Sequence, residues 1–236
     1  MYAGFLITLR EGIEAFLVVG ILLGFLTKID QPRYKRQVWI GTLTGVLASI
    51  ALALLFQLLA FKFMGSAADV FELLISLAAV CVLTWMVLWM QRQSRTIRAE
   101  IEQKVKLAVS TGQAFALASL AFISVLREGL ETALFLGALA ATMKERSLLT
   151  GSIFGLLAAI VITYIIFKST VRLNIRVFFI VTGTLIIFIA AGLLGHAVMT
   201  LEELKLIPTI IPHLWDTSRW ISDEGLLGRL LHAFIG

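Results

Sequence analysis

The sequence Leu9-Arg10-Glu11-Gly12-Ile13-Glu14 decides how this chain can fold, because it places three charged residues inside an apolar run, residues 3–26. The pattern recurs as Leu126-Arg127-Glu128-Gly129-Leu130-Glu131 in a second apolar run. Six charges facing lipid would cost about 2.5–3.5 kcal/mol each, or roughly 15–20 kcal/mol together. That exceeds the free energy of unfolding of a typical domain, about 5–15 kcal/mol. The six side chains must therefore face one another, an aqueous cavity or a bound ion.

The composition around these motifs is that of a membrane protein. Of the 236 residues, 59% are hydrophobic and only 15% are charged, whereas a soluble domain has about 25% charged residues. The net charge of +5 does not indicate a nucleic-acid partner, because the basic residues lie in short connections between apolar runs. We predict an all-α polytopic protein surrounded by membrane lipid.

Six apolar segments are long enough to cross a hydrocarbon core of about 30 Å as helices. They cover residues 3–27, 38–61, 70–90, 113–142, 149–167 and 176–199. The connections 28–37, 91–112 and 168–176 contain twelve basic residues, against six in the remaining connections and termini. The positive-inside rule then places the twelve in the cytoplasm and the N-terminus outside. The predicted location is the cytoplasmic (inner or plasma) membrane.

An internal repeat organises the six segments. Residues 9–22 and 126–139 share eight identities in fourteen positions, and glycines recur at the start of the second and fifth segments as Gly41/Gly45 and Gly151/Gly155. Because each copy would have three spans, the second copy would cross the membrane in the opposite sense. We expect a 3+3 inverted repeat with a substrate site near the midplane.

These boundaries predict a single transmembrane domain over residues 1–236. Repeat one covers residues 1–90, a cytoplasmic loop 91–112, repeat two 113–199, and an outer loop with a C-terminal segment 200–236. The last residues, 225–236, are apolar but too short to cross a bilayer. They fit either an interfacial helix or the beginning of a truncated seventh span.

The paired motifs indicate a site for a hard cation. In a helix Glu11 and Glu14 lie on one face, and Arg10 pairs with Glu14 at i, i+4; the same holds for Arg127, Glu128 and Glu131 in the second motif. Four carboxylates against two guanidiniums leave an excess of negative charge that favours a cation with oxygen ligands. We expect Arg10 and Arg127 each to orient one carboxylate through bidentate bonds. A closed salt-bridge network that only joins helices is the structural alternative.

Other residues are weaker candidates. Glu72, near the outer end of the third segment, either binds the ion at an entrance or extends to the interface. Glu202, Glu203 and Asp216 either collect cations outside or form a solvated acidic loop. Cys81 lies in an apolar segment and is expected to be buried. No tightly bound cofactor is expected.

The two Arg-Glu-Gly-x-Glu motifs, Glu72, Ala190-Ala191-Gly192-Leu193 and Leu214-Trp215-Asp216 together resemble the iron permease family, which comprises bacterial EfeU-type transporters and fungal high-affinity permeases that work with a multicopper oxidase. The resemblance implies that iron is the transported substrate and that the arginines and glutamates of both motifs are essential to its passage. It also implies a periplasmic or extracellular iron-binding protein or an oxidase as partner. Family members usually have a seventh span, which this sequence would have only in part.

The expected function is iron import by a permease, and the chain is not expected to be an enzyme. A permease of the same architecture for another cation, such as lead or manganese, is the first alternative, because carboxylate ligands alone do not distinguish these metals from iron. An intramembrane di-iron enzyme is disfavoured because such bundles use Glu-x-x-His, whereas both motifs here end in Glu. A purely structural subunit would bind no metal. Whether the protein forms a homo-oligomer is left open.

Overall fold

The computed structural model describes residues 1–62, 66–93, 97–142, 145–168 and 175–204, and all regular structure within them is helical. A short 3-10 turn, Pro32–Tyr34, follows the first helix. The described chain contains the helices α1 (Tyr2–Lys28), α2 (Lys35–Lys62), α3 (Ser66–Gln93), α4 (Ile97–Ser110), α5 (Ala114–Thr142), α6 (Glu145–Lys168) and α7 (Ile175–Glu203).

Each of the six apolar segments corresponds to one of six helices, α1, α2, α3, α5, α6 and α7, and only the fourth segment extends beyond its helix, by one residue. Three stretches of the described chain are long and apolar enough to cross a membrane: Pro32–Leu55, Ser147–Lys168 and Val177–Glu202. Helices α1 and α5 each contain the three charges of a motif, and the apolar part of α3, Leu73–Leu88, is shorter. The architecture is therefore all-helical, with three helices suited to spanning by length and composition alone.

The connection between α3 and α5 is not merely a loop, as the sequence analysis had it, because it contains α4. Its Ile101, Val105 and Ala108 lie on one face of the helix and are buried against apolar residues of α1 and α5. The helix ends at Ser110, and Gly112, two residues later, has a φ of +68°. Such a left-handed glycine commonly ends a helix, and here the N–H of Gln113 returns to the carbonyl of Ala108.

The long helices pack in pairs around α1 and α5. Helix α1 packs along α6, α2 packs along α5, and α3 packs along α7, while α1 and α5 also contact each other. Glycines permit the first two contacts. A Cβ added at Gly41 of α2 would overlap the carbonyl of Ala118, and one added at Gly151 of α6 would overlap the carbonyl of Met1. The helices therefore approach backbone to backbone, as small residues allow in membrane proteins.

Much of the outer surface is apolar. Large side chains such as Leu43, Leu58, Ile153 and Val161 are about half exposed or more, which is ordinary where lipid replaces water. Cys81 is also exposed, so the expectation that it is buried was wrong. It lies two residues beyond the fully buried Ala79, and two positions in a helix turn the side chain away from the packed face.

We predict that Gly41→Ala destabilises the protein. The new methyl group would meet the Ala118 carbonyl, and relief would require α2 and α5 to separate. Overpacking of this kind typically costs about 1–3 kcal/mol. The check is the thermal unfolding temperature of the purified protein in detergent, with Gly151→Ala as an independent test at the α1–α6 contact.

Gly24→Ala is the matched control, because a Cβ at Gly24 has no atom within 4 Å among those that the structure describes. It should leave the unfolding temperature unchanged or raise it slightly, since alanine is the better helix former. Equal unfolding temperatures for Gly41→Ala and Gly24→Ala would contradict the close contact between α2 and α5.

Candidate metal centre

Helices α1 and α5 bring carboxylates of both motifs into one cluster near the middle of each helix. Glu11, Glu128 and Glu131 each offer an oxygen, and these three atoms lie within 4.8 Å of one another. Glu11 and Glu128 are buried, and Glu131 is partly buried. Two negative charges at such a distance repel by about 3–4 kcal/mol at an effective dielectric constant of about 20. The cluster therefore favours a bound cation or protons.

Each member of this carboxylate trio has an oxygen without a partner. The Oε2 atoms of Glu11, Glu128 and Glu131 are buried and make no hydrogen bond within the described part of the chain. Buried polar atoms in proteins are nearly always satisfied. Carboxylate oxygens that converge from three residues are the ligand type that hard divalent cations take. The arrangement is suited to binding such an ion.

Arg10 is held differently from the prediction. Its Nη1 donates to Glu11 Oε1 at 2.7 Å, and its Nη2 lies 3.0 Å from Glu14 Oε1. The i, i+4 pair is therefore present, but the guanidinium bridges two carboxylates and does not make a bidentate contact with one. Arg10 is only 1% exposed. Glu14 is not part of the carboxylate trio, whereas Glu11, which contacts the same guanidinium, is.

Arg127 makes the equivalent i, i+4 contact in a different setting. Its Nε donates to Glu131 Oε1 at 2.8 Å, and its side chain is 40% exposed. The two motifs have the same Leu-Arg-Glu-Gly sequence, so their difference in exposure comes from the surrounding helices. One end of the site is thus closed around Arg10, and the other end is more open at Arg127.

The two motif glycines allow neighbouring helices to approach. A Cβ at Gly12 would lie 2.9 Å from the Cβ of Ala159 in α6. A Cβ at Gly129 would overlap the Ser49 hydroxyl of α2. Each motif therefore contacts a neighbouring helix at its glycine.

Met86 of α3 is a contact that the sequence analysis missed. Its Sδ accepts a hydrogen bond from Arg10 Nη1 at 3.0 Å, and the residue is 1% exposed. A methionine within an apolar helix is usually a core residue, so its sequence context gives no indication of this role. The contact is seen only in the fold, where the packing of α3 against α7 and α5 brings Met86 to Arg10.

Most of the acidic side chains predicted to lie at the outer side are outside the described residues. Glu72 lies in α3, but its side chain is outside the described residues. Glu202 lies near the end of α7 and is partly exposed, while the Glu203 side chain and Asp216 are also outside the described residues. Roles for these four residues stay predictions.

Comparisons with known proteins identify the family. All of residues 1–236 match the Iron permease FTR1 family. The chain is 33% identical over 240 residues to "Ferrous iron permease EfeU" of Escherichia coli O6:H1 (strain CFT073), covering 100% of this chain and 86% of that protein. It is 32% identical to the protein of that name from Yersinia pestis, covering 100% and 84%. No solved structure matches the chain. The chain belongs to the FTR1 family of iron permeases.

Proposed function

We propose that this iron permease binds iron at the carboxylate trio Glu11, Glu128 and Glu131 and imports it across the cytoplasmic membrane. The observation that supports this most directly is the convergence of three carboxylates from two helices, each of which also has a buried oxygen without a hydrogen-bond donor among the described residues. The names of the relatives favour ferrous iron as the form bound. Iron is the substrate here, and we propose no enzymatic activity and no tightly bound cofactor.

In this proposal Glu14 binds the ion only after a change of conformation. It lies on the same helix face as Glu11 and is 7% exposed, but Arg10 holds it in the described arrangement. If Arg10 moves away, Glu14 becomes available to the ion. The predicted four-carboxylate site would then form in a different conformation, and Arg10 would determine when the fourth ligand takes part.

We propose that the six long helices span the membrane as a 3+3 inverted repeat. The paired packing of α1 with α6 and of α2 with α5 supports this, because an inverted repeat exchanges these two pairs. The glycine contacts at the two interfaces correspond residue by residue. The alignment that matches Arg10 with Arg127 also matches Met1 with Ala118, and these two are the residues that Gly151 and Gly41 contact.

The same correspondence continues one turn further along. Gly155 contacts Phe5 and Thr8, and Gly45 contacts Phe122 and Val125; Phe5 aligns with Phe122, and Thr8 with Val125. Two interfaces with matching glycine contacts support a twofold relation between the halves. In such folds, transport proceeds by rocking one repeat against the other around a central site.

Iron would enter from the outer side in this proposal. The twelve basic residues of the inner connections favour a cytoplasmic location for α4 and an outer location for the N-terminus. Glu202, with Glu203 and Asp216, would collect iron outside, and Glu72 would pass it inward. A periplasmic or extracellular iron-binding protein or an oxidase remains a partner suggested by the family resemblance.

We predict that Glu128→Gln or Glu131→Gln lowers iron uptake at least about 100-fold. Mutation of a residue that only orients a metal ligand typically lowers affinity or activity about 10–100-fold. The substitutions here remove a charged ligand itself while keeping the size of the side chain, so we expect a larger loss. The measurement is uptake of radioactive ferrous iron into proteoliposomes under anaerobic conditions.

Glu100→Gln is the matched control, because Glu100 is an exposed carboxylate on α4 and has no place in the proposed site. It should transport iron as the unaltered protein does. Normal uptake by both Glu128→Gln and Glu131→Gln would exclude the carboxylate trio as the iron site.

We also predict the orientation of the chain. In a Cys81→Ser background, which removes the exposed native thiol, Tyr2→Cys should react with a membrane-impermeant maleimide added to intact cells. Arg33→Cys and Glu100→Cys should react only after the membrane is permeabilised. All three positions are exposed, so each can be labelled. Labelling of Arg33→Cys in intact cells would reverse the proposed topology.

A further inference from the structure

We propose that Met86 is a positioning residue for iron binding, which keeps Arg10 away from the oxygens that the ion needs. This inference rests on the proposed iron site. Met86 belongs to α3, which contributes no carboxylate to the trio. It reaches the site only through its contact with Arg10 Nη1 at 3.0 Å.

The hydrogen-bond donors of Arg10 show why a neutral acceptor matters. Nη1 has two N–H groups, one donating to Glu11 Oε1 and one to Met86 Sδ. Nη2 lies beside Glu14 Oε1. Both N–H groups of Nη1 are thus occupied, and the guanidinium is held on the side of the cluster that faces α3. The oxygens without partners, on Glu11 and Glu128 among others, stay free.

Within the described chain Arg10 Nε already lacks an acceptor, and loss of the thioether would add a second buried N–H without one, which is unfavourable. The trio has carboxylate oxygens without donors that could accept from it, and Arg10 would then compete with iron. A thioether is suited to prevent this because it is a weak, uncharged acceptor. It restrains the guanidinium without adding another negative charge beside four carboxylates.

A merely structural role for Met86 is the alternative that the experiment must separate. Met86 packs in an apolar cluster with Ala79, Leu83 and Ile186, so any large change would disturb that core. Met86→Leu removes the acceptor at nearly constant volume, a swap that cores tolerate well. Met86→Gln keeps the length and supplies an amide oxygen as acceptor. Leu83→Met disturbs the same core without touching the acceptor.

The experiment measures anaerobic binding of ferrous iron to the purified full chain in detergent, together with KM and maximal rate of uptake in proteoliposomes. We expect Met86→Leu to raise both Kd and KM about 3–10-fold, the range of one lost hydrogen bond of modest strength, with a nearly unchanged maximal rate. Met86→Gln should restore most of the affinity, and Leu83→Met should bind as the unaltered protein does.

Three results would overturn the inference: unaltered iron affinity in Met86→Leu, equal weakening in Met86→Gln, or equal weakening in Leu83→Met.

Glu128→Gln distinguishes an error about Met86 from an error about the iron site itself. If Glu128→Gln abolishes binding while Met86→Leu does not change it, only the role of Met86 is wrong. If Glu128→Gln binds normally, the proposed site is wrong. Should Met86→Leu fail to fold, Met86→Ile also removes the acceptor. Weaker iron binding by Met86→Ile would support the inference, and unaltered binding would overturn it.

Discussion

The contact of Arg10 with Glu11 and Glu14 is the interaction on which the described arrangement depends. A guanidinium that is 1% exposed is tolerated inside an apolar bundle only when acceptors surround it. Two carboxylates and one thioether contact its Nη atoms, while Nε has no acceptor within the described part of the chain. Four carboxylates against two guanidiniums still leave negative charge in the interior. Helices α1 and α5 must therefore lie centrally, and the apolar helices that pack along them separate these charges from lipid.

Identical local sequences occupy unequal surroundings in this fold. Arg10 is enclosed by contacts from α1 and α3, whereas the Arg127 side chain is 40% exposed. A half-exposed guanidinium in the middle of an apolar bundle needs water or another polar group beside it. The two halves of the chain therefore differ in access to the site even though their motifs match. Such inequality is what a rocking mechanism requires, because each conformation should open the site to one side only.

The sequence predicted those features that depend on local spacing. Charge in apolar runs required the two motifs to meet, and helix geometry required the Arg10–Glu14 and Arg127–Glu131 pairs. Features that depend on neighbouring helices were not predictable. Glu14 lies outside the trio although it shares a helix face with Glu11, and Met86 has the sequence context of a core residue. Helix α4 could have been recognised, since Ile101, Val105 and Ala108 follow a helical period.

The carboxylate trio takes one member from α1 and two from α5, so the ligand set exists only while these helices stay in their present relation. Their contact depends on the flanking pairs, α1 with α6 and α2 with α5, whose glycines fix the distance between backbones. A movement of one pair against the other would change the distances from Glu11 to Glu128 and Glu131. In the proposed mechanism, a displacement that opens a path by separating them would also lower the affinity for the bound cation. The proposed release of the ion would then be coupled to the movement of the helices.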